Sequence, residues 1–86
     1  SICLCDIVAV VDCWEDGVAY CTQKNKFFAG DRVELLEPGK HPVEFTVEEL
    51  YDEAGEAIED TRHAHMKFSF PLKTPVAEGT IIRKDI

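Results

Sequence analysis

Two short pairs of side chains in this sequence have the residue types and spacing of metal ligands. His63 and His65 stand at positions i and i+2, and Cys3 and Cys5 repeat that spacing with thiols. On an extended strand both members of such a pair point to the same side, and zinc accepts imidazole nitrogens and thiolates. A third ligand is needed. For the histidine pair the candidates are Glu59, Asp60 and His41, and no spacing in the sequence favours any of them. We therefore interpret both pairs as structural and predict no metal site and no cofactor.

The sequence also lacks a nucleophile with a base beside it. Its only serines are Ser1, at the terminus, and Ser69, in an alternating apolar segment. Nucleophilic catalysis needs such a hydroxyl or thiol next to a base that a third group orients. Gly-x-Ser-x-Gly, His-Glu-x-x-His and a glycine-rich phosphate loop are absent. Glu48 and Glu49 are adjacent, so on a strand they point to opposite faces. We predict no catalytic residue in this chain.

Aromatic and basic side chains around the first predicted hairpin form the best candidate binding surface. They are Trp14, Tyr20, Lys24, Lys26 and Phe28, with Phe27 beside them. If exposed, they could stack on nucleic-acid bases or hold an extended peptide. Core packing and cross-strand pairing explain the same residues with fewer assumptions, and we favour that interpretation.

The four cysteines lie in the first quarter of the chain, at Cys3, Cys5, Cys13 and Cys21. No Cys-x-x-Cys motif is present and no secretory segment accompanies them, so neither a redox pair nor a disulfide framework is indicated. The odd positions from 3 to 13 are all apolar, which is the pattern of one strand face. We therefore expect Cys3, Cys5 and Cys13 to face the core as reduced thiols.

Short alternating segments between glycines and prolines predict an all-β domain. The expected strands are 2–13, 18–23, 32–37, 43–47, 57–59, 66–70 and 80–83, although 47–51 could instead begin a helical turn. In the fourth strand Val43, Phe45 and Val47 are expected to point inward. Six to seven short strands are most economically arranged as a small antiparallel β-barrel, closed or partly open, because closure removes exposed edges.

Glycine marks the predicted turns between these strands. The turn residues are Gly17, Gly30, Asp31, Pro38, Gly39, Gly55 and Gly79. Two of these sites resemble each other, because an apolar residue, a tight turn that contains Gly30 or Gly79, and the start of a strand follow in that order. This arrangement recurs in translation-factor-like β-barrels, which is an analogy of fold alone.

The charge distribution bears on possible partners. The net charge is −8, and eight acids fall in one stretch without a basic residue: Glu44, Glu48, Glu49, Asp52, Glu53, Glu56, Glu59 and Asp60. Such a field repels a phosphate backbone, so a nucleic-acid partner is not expected. A solvated face is the simplest interpretation, and a basic protein surface is the alternative. No apolar run reaches the ~18 residues of a membrane span, so no membrane partner is expected.

Four segments together resemble the C-terminal domain of the U32 family of collagenase-like peptidases. They are 25–39, 45–56, 61–64 and 75–84, which occur in the family's order and spacing, so that the resemblance covers 6–84. The sequence departs from the family pattern in two places. Ala9 replaces a usual glycine, and the cysteine-rich start, 1–5, replaces aromatic residues.

The resemblance implies a small β-barrel that follows a larger catalytic domain. We expect 1–86 to form this single domain, as its length indicates, and we expect a cytoplasmic location because no secretory segment is seen. Family members are named as proteases that act on collagen-like substrates, and some relatives resemble iron–sulfur enzymes that hydroxylate RNA or ubiquinone precursors. Cluster cysteines in those relatives belong to the catalytic part, so we do not assign that role here. We expect a non-catalytic accessory domain that recognises a protein substrate or docks on its parent catalytic domain. The alternative is an RNA-facing barrel of an RNA-hydroxylating enzyme.

Overall fold

The computed structural model describes residues 5–26, 28–61 and 65–85, which form eight β-strands. The strands are β1 (Cys5–Glu15), β2 (Val18–Gln23), β3 (Arg32–Leu36), β4 (Val43–Thr46), β5 (Leu50–Asp52), β6 (Ala57–Ile58), β7 (Lys67–Pro71) and β8 (Ile81–Asp85). No helix in these three ranges is long and apolar enough to cross a membrane. The predicted all-β class is confirmed. The one strand beyond the predicted seven is β5, which overlaps 47–51, the segment for which a helical turn was the alternative.

All eight strands belong to one antiparallel sheet in the order β4-β3-β8-β1-β2-β7-β5-β6. The sheet curls into a half-barrel. Its two ends approach each other where Phe28, just before β3, forms a bridge with Asp60, just after β6. Next to it, the Ala29 N–H donates to the Glu59 carbonyl at 2.7 Å. The barrel is therefore partly closed, by a short segment rather than by a full strand pair.

The core fills the concave side of the curled sheet, because alternate residues of each strand point there. Its buried apolar members are Val8, Ala9, Val11, Ala19, Cys21, Val33, Leu35, Val47, Leu50, Phe68, Phe70, Leu72 and Ile82. Phe70 lies among aromatic neighbours, with its ring centroid 5.7 Å from that of Phe45 and 6.3 Å from that of Phe68. Apolar burial of this kind stabilises the fold by about 25 cal/mol per Å².

Two β-bulges in β1 make part of the cysteine prediction wrong. Between Val11 and Cys13 the register with β2 skips Asp12, so Cys13 pairs with the outward-facing Tyr20 and is exposed. An extra residue reverses the face of every side chain that follows it, which also brings Trp14 against the core. The expectation for Cys3 and for the Cys5 side chain lies outside the described residues.

The other bulge lies near the start of β1. The N–H groups of Lys24 and Asn25 both donate to the Val8 carbonyl, at 2.7 and 3.2 Å. As a result Val8 and Ala9 are both buried, whereas Ile7, at a predicted core position, is 46% exposed. Simple alternation of buried and exposed side chains therefore fails at both bulges of β1.

Gly30 lies in a tight turn that leads directly into a bulge. The Asp31 N–H donates to the Phe28 carbonyl at 3.1 Å, and Gly30 has a φ of 95°, as position i+2 of a type II turn requires. The Gly30 N–H then donates to the Val47 carbonyl, and the Val47 N–H donates to the Asp31 carbonyl. This pattern, with a left-handed glycine first, is a G1 bulge opposite Val47.

Gly79 repeats the arrangement before β8. The Thr80 N–H donates to the Ala77 carbonyl at 3.2 Å, and Gly79 has a φ of 90°. The Gly79 N–H donates to the Val11 carbonyl and the Val11 N–H donates to the Thr80 carbonyl, both at 2.8 Å. The sequence echo around the two glycines is therefore one structural unit used twice. The remaining predicted turns, at Gly17, Pro38-Gly39 and Gly55, connect β1 to β2, β3 to β4 and β5 to β6.

Candidate functional site

The five residues of the predicted aromatic and basic surface lie in separate places. Trp14 is half-buried near the β1–β2 turn, where its indole N–H donates to the Leu72 carbonyl at 2.8 Å. Tyr20 is exposed on the outer face of β2. Lys24, Lys26 and Phe28 follow the other end of β2, and all three are exposed. The structure thus brings together only the last three.

Phe28 lies within a small cluster of ion pairs. The ammonium groups of Lys26 and Lys84 lie 5.2 and 5.9 Å from its ring centroid. Lys26 is also 3.5 Å from an Asp60 oxygen, and Lys84 donates to Asp31 at 2.8 Å. Partial burial works to raise the pKa of Asp31, but the hydrogen bonds from Lys84 and the Phe28 N–H outweigh it and hold that pKa below its ordinary value. The cations around Phe28 are therefore already paired with carboxylates.

The groups considered for metal binding or catalysis do not assemble into a site within the described ranges. No group of three or more His, Cys, Asp or Glu side chains in those ranges is arranged so that it could hold a metal ion. His65 is exposed with a φ of 61°, so it lacks the extended conformation that would align it with His63, which lies outside those ranges. Burial raises the pKa of the Cys21 thiol, and Asp12 and Cys13 raise it further. A thiol in that environment is a poor nucleophile.

An apolar groove of about 410 Å³ lies between β4 and the segment that follows β7. Its lining is mainly aliphatic and aromatic: Leu35, Val43, Phe45, Pro71, Leu72, Pro75 and Val76, with Glu37, Lys40, Lys73 and Thr74. Val43 is 58% exposed, so the prediction that it would be an inward core residue is wrong. It shares a strand face with Phe45, but β4 is an edge strand and nothing in the described chain covers its first residue.

Hydrogen bonds fix both walls of this groove. On one side, Glu37 accepts from the Ala77 N–H at 2.8 Å and from Lys40 at 2.7 Å. The hydrogen bond from Lys40, followed by that from Ala77, holds the pKa of Glu37 below its ordinary value. On the other side, the Leu72 N–H donates to the Gly17 carbonyl at 2.9 Å, and its carbonyl accepts from Trp14. The groove is therefore formed before any partner binds.

A smaller depression of about 290 Å³ continues the groove toward the end of β4. Phe45 and Pro71 line both, and the new members are Thr46, Glu48 and Glu49. Both glutamates are exposed, and no ion pair of theirs occurs among the described residues. The groove is thus apolar along its length and acidic at this end.

Sequence reasoning did not identify this groove. Alternation in β4 showed that Val43 and Phe45 share a face, but it gave no sign that one end of the barrel is open. Pro71, Pro75 and Val76 lie outside every strand that the sequence predicts. Their apolar character after a strand was the available signal.

Comparison with known proteins places this fold in a family. The model of the peptidase family U32 C-terminal domain matches residues 4–83. The crystal structure of the "C-terminal domain of Geobacillus thermoleovorans putative U32 peptidase" is 26% identical with a TM-score of 0.86, over 94% of this chain and 93% of that one. The structure of its selenomethionine variant is 27% identical with the same TM-score, over 92% and 99%. No curated protein matches the chain. The chain belongs to the peptidase family U32 C-terminal domain.

Proposed function

We propose that this chain is the non-catalytic accessory domain of a U32-type peptidase and that it recognises the protein substrate. The observation that carries this proposal is the fixed apolar groove beside Val43, which is large enough for several side chains and open to solvent. Preformed apolar concavities with a few polar groups at the rim are the usual form of a binding site. Docking on the parent catalytic domain is the other use that such a surface could serve.

Two observations support a binding role rather than a catalytic one. The buried Cys21 thiol has a raised pKa, so it is protonated at neutral pH. The polar groups that line the groove are carboxylates and lysines, and Glu37 among them is held by Lys40 and the Ala77 N–H. A carboxylate with a lowered pKa is a weak general base at neutral pH.

The test compares the parent peptidase with a version that lacks this domain. Deletion is expected to raise KM for an unfolded protein such as gelatin or casein, while kcat/KM for a short reporter peptide stays the same. The isolated domain is expected to cleave neither protein. Equal kinetics with and without the domain would contradict substrate recognition. Hydrolysis by the isolated domain that survives repurification and disappears on mutation of His63 or His65 would contradict the non-catalytic role.

The RNA-facing alternative has only Phe28 as a specific feature in its favour. Six of the eight described Lys and Arg side chains lie within 4.0 Å of a carboxylate: Lys26, Arg32, Lys40, Lys67, Arg83 and Lys84. Phosphate capture depends on cations that can exchange their counterions for the nucleic acid. Cations that already neutralise this acidic domain contribute little to such binding.

A further inference from the structure

The apolar groove runs along an unpaired edge of the sheet. Within the described residues β4 pairs with β3 and with no other strand. The Val47 N–H donates to the Asp31 carbonyl on the β3 side. Because antiparallel pairing alternates along a strand, the backbone groups of Val43 and Phe45 also face β3, and those of Glu44 and Thr46 face away from it.

The space beyond this edge is bounded by Pro71 at the end of β7. Pro71 lines both the apolar groove and the acidic depression, opposite β4 in each. A segment that paired with the free backbone groups of Glu44 and Thr46 would therefore lie along both depressions. Addition of an extended peptide to a sheet edge is a recurring mode of recognition, in which backbone pairing gives affinity and pockets for alternate side chains give selectivity.

The charges along the groove give it a direction. Glu48 and Glu49 line the depression at the end where β4 finishes, and Lys73 lines the groove but not that depression. The chain as a whole carries a net charge of −8. Lys or Arg side chains in a partner are therefore favoured near the two glutamates and disfavoured near Lys73.

We propose that β4 and the groove bind an extended segment of the substrate polypeptide as an added antiparallel strand. A Lys or Arg of that segment lies at Glu48 and Glu49, and apolar side chains about four residues later in its sequence cover Val43. The antiparallel direction follows from the pairing of all neighbouring strands and from its slightly greater stability. This proposal rests on the proposed function in one respect: that the bound segment belongs to the substrate. The binding of an extended segment to β4 is argued from this domain alone.

The test titrates the domain with a blocked ten-residue peptide that carries two lysines near its N-terminus, followed by valine and leucine at alternate positions. We expect saturable binding, with new protection of the Glu44 and Thr46 amides in hydrogen exchange. Three matched peptides serve as comparisons: one with the residue order reversed, one with glutamate in place of lysine, and one N-methylated at alternate amides. Each is expected to bind at least about tenfold more weakly.

Protein variants locate the site. Val43→Asp and the double change Glu48→Lys with Glu49→Lys should each weaken binding about tenfold. Val43 is largely exposed, and the isosteric Val43→Thr gives a second variant that keeps the strand preference. The controls are Ile7→Asp, at another exposed aliphatic residue, and Glu53→Lys with Glu56→Lys, at acids of the β5–β6 turn. Both controls should bind within twofold of the unchanged domain, and melting curves verify that every variant folds.

Three outcomes would overturn the inference. They are no saturable binding up to about 1 mM peptide, equal binding of all four peptides, or equal effects of the groove and control variants. If the peptide does not bind but deletion of the domain still raises KM of the parent enzyme for protein, the strand-addition inference fails and the proposed function stands. If the peptide binds and the parent enzyme is indifferent to deletion, the proposed function fails and the binding mode stands.

Discussion

Gly30 and Gly79 occupy the same backbone position in two copies of one turn-and-bulge unit. Each has a left-handed φ, 95° and 90°, and each donates its N–H to the carbonyl of a buried valine, Val47 or Val11. The two units precede β3 and β8, which are neighbours in the sheet. They therefore set the register at which two adjacent strands begin.

Replacement of Gly30 should destabilise the domain through backbone conformation alone. A Cβ at Gly30 would meet no atom within 4 Å, so no steric clash contributes. An L-residue with a side chain pays about 1–2 kcal/mol in the left-handed region, and valine, which is β-branched, pays about 1–3 kcal/mol. Urea unfolding of Gly30→Ala, Gly30→Val and Gly30→Asn measures this. Asn tolerates the left-handed region and should cost least. If Gly30→Ala and Gly30→Val were as stable as the unchanged domain, the turn would not require this conformation.

The Asp31–Lys84 ion pair should make stability depend on pH in the acid range. The pKa of Asp31 is lower in the folded chain than its ordinary value, so the folded state favours the carboxylate. Its contribution is complete above the unfolded pKa, near 4, and is lost as the pH falls through the lower folded value. Asp31→Asn should cost about 1–2 kcal/mol at pH 7 and should flatten this part of the stability curve.

The measurement is urea unfolding between pH 2 and pH 7, with Asp16→Asn as a control at an exposed turn residue whose side chain makes no ion pair among the described residues. If the free energy of unfolding of Asp31→Asn fell with decreasing pH as steeply as that of the unchanged domain, the proposed contribution of the Asp31–Lys84 pair would be contradicted. Since other carboxylates also titrate, only the difference between the two curves is informative.

Much of the fold could be predicted from the sequence because strand patterning and turn chemistry are local. The Asp16-Gly17 hairpin illustrates this, since both residues have the positive φ, 49° and 79°, of a type I′ turn. β1 shows the limit of the method. Its two bulges depend on the registers with β2 and β8, which alternation within β1 does not reveal, so alternation placed Ile7 and Cys13 on the wrong face.

The candidate site was less predictable because it lies at the unpaired edge of the sheet, beside β4. Val43 and Pro71 are 28 positions apart in the sequence and approach each other only through the order of strands. That order places β4 at an edge, which no pattern within β4 reveals. The predicted aromatic and basic surface depended on residues that are close in sequence, yet β2 separates Trp14 from Phe28.

The exposed Cys13 and the buried Cys21 should differ sharply in their reaction with a thiol reagent. Burial raises the pKa of Cys21 and blocks access, whereas Cys13 lies on the outer face of β1. In a background with Cys3→Ser and Cys5→Ser, one thiol should react rapidly in the folded domain. The second should react at least about tenfold more slowly until the domain unfolds.

Mass spectrometry after brief labelling identifies the reactive thiol. The variant Cys13→Ser should abolish the fast phase, and Cys21→Ser should leave it unchanged. Fast modification of Cys21 in the folded domain would mean that β2 does not hold that side chain in the core.

RNA should bind this domain no more tightly than the weak end of non-specific affinity, a Kd of about 10⁻⁴ M at physiological salt. The described cations outside ion pairs are Lys24 and Lys73, and Lys73 lies in the groove, far along the chain from Phe28. A fluorescence titration with tRNA at moderate salt measures the affinity. Lys24→Glu with Lys26→Glu removes the positive charge nearest Phe28, and Lys67→Glu with Lys73→Glu is the matched control elsewhere. Micromolar binding that only the first pair of changes abolishes would favour the RNA-facing alternative over substrate recognition.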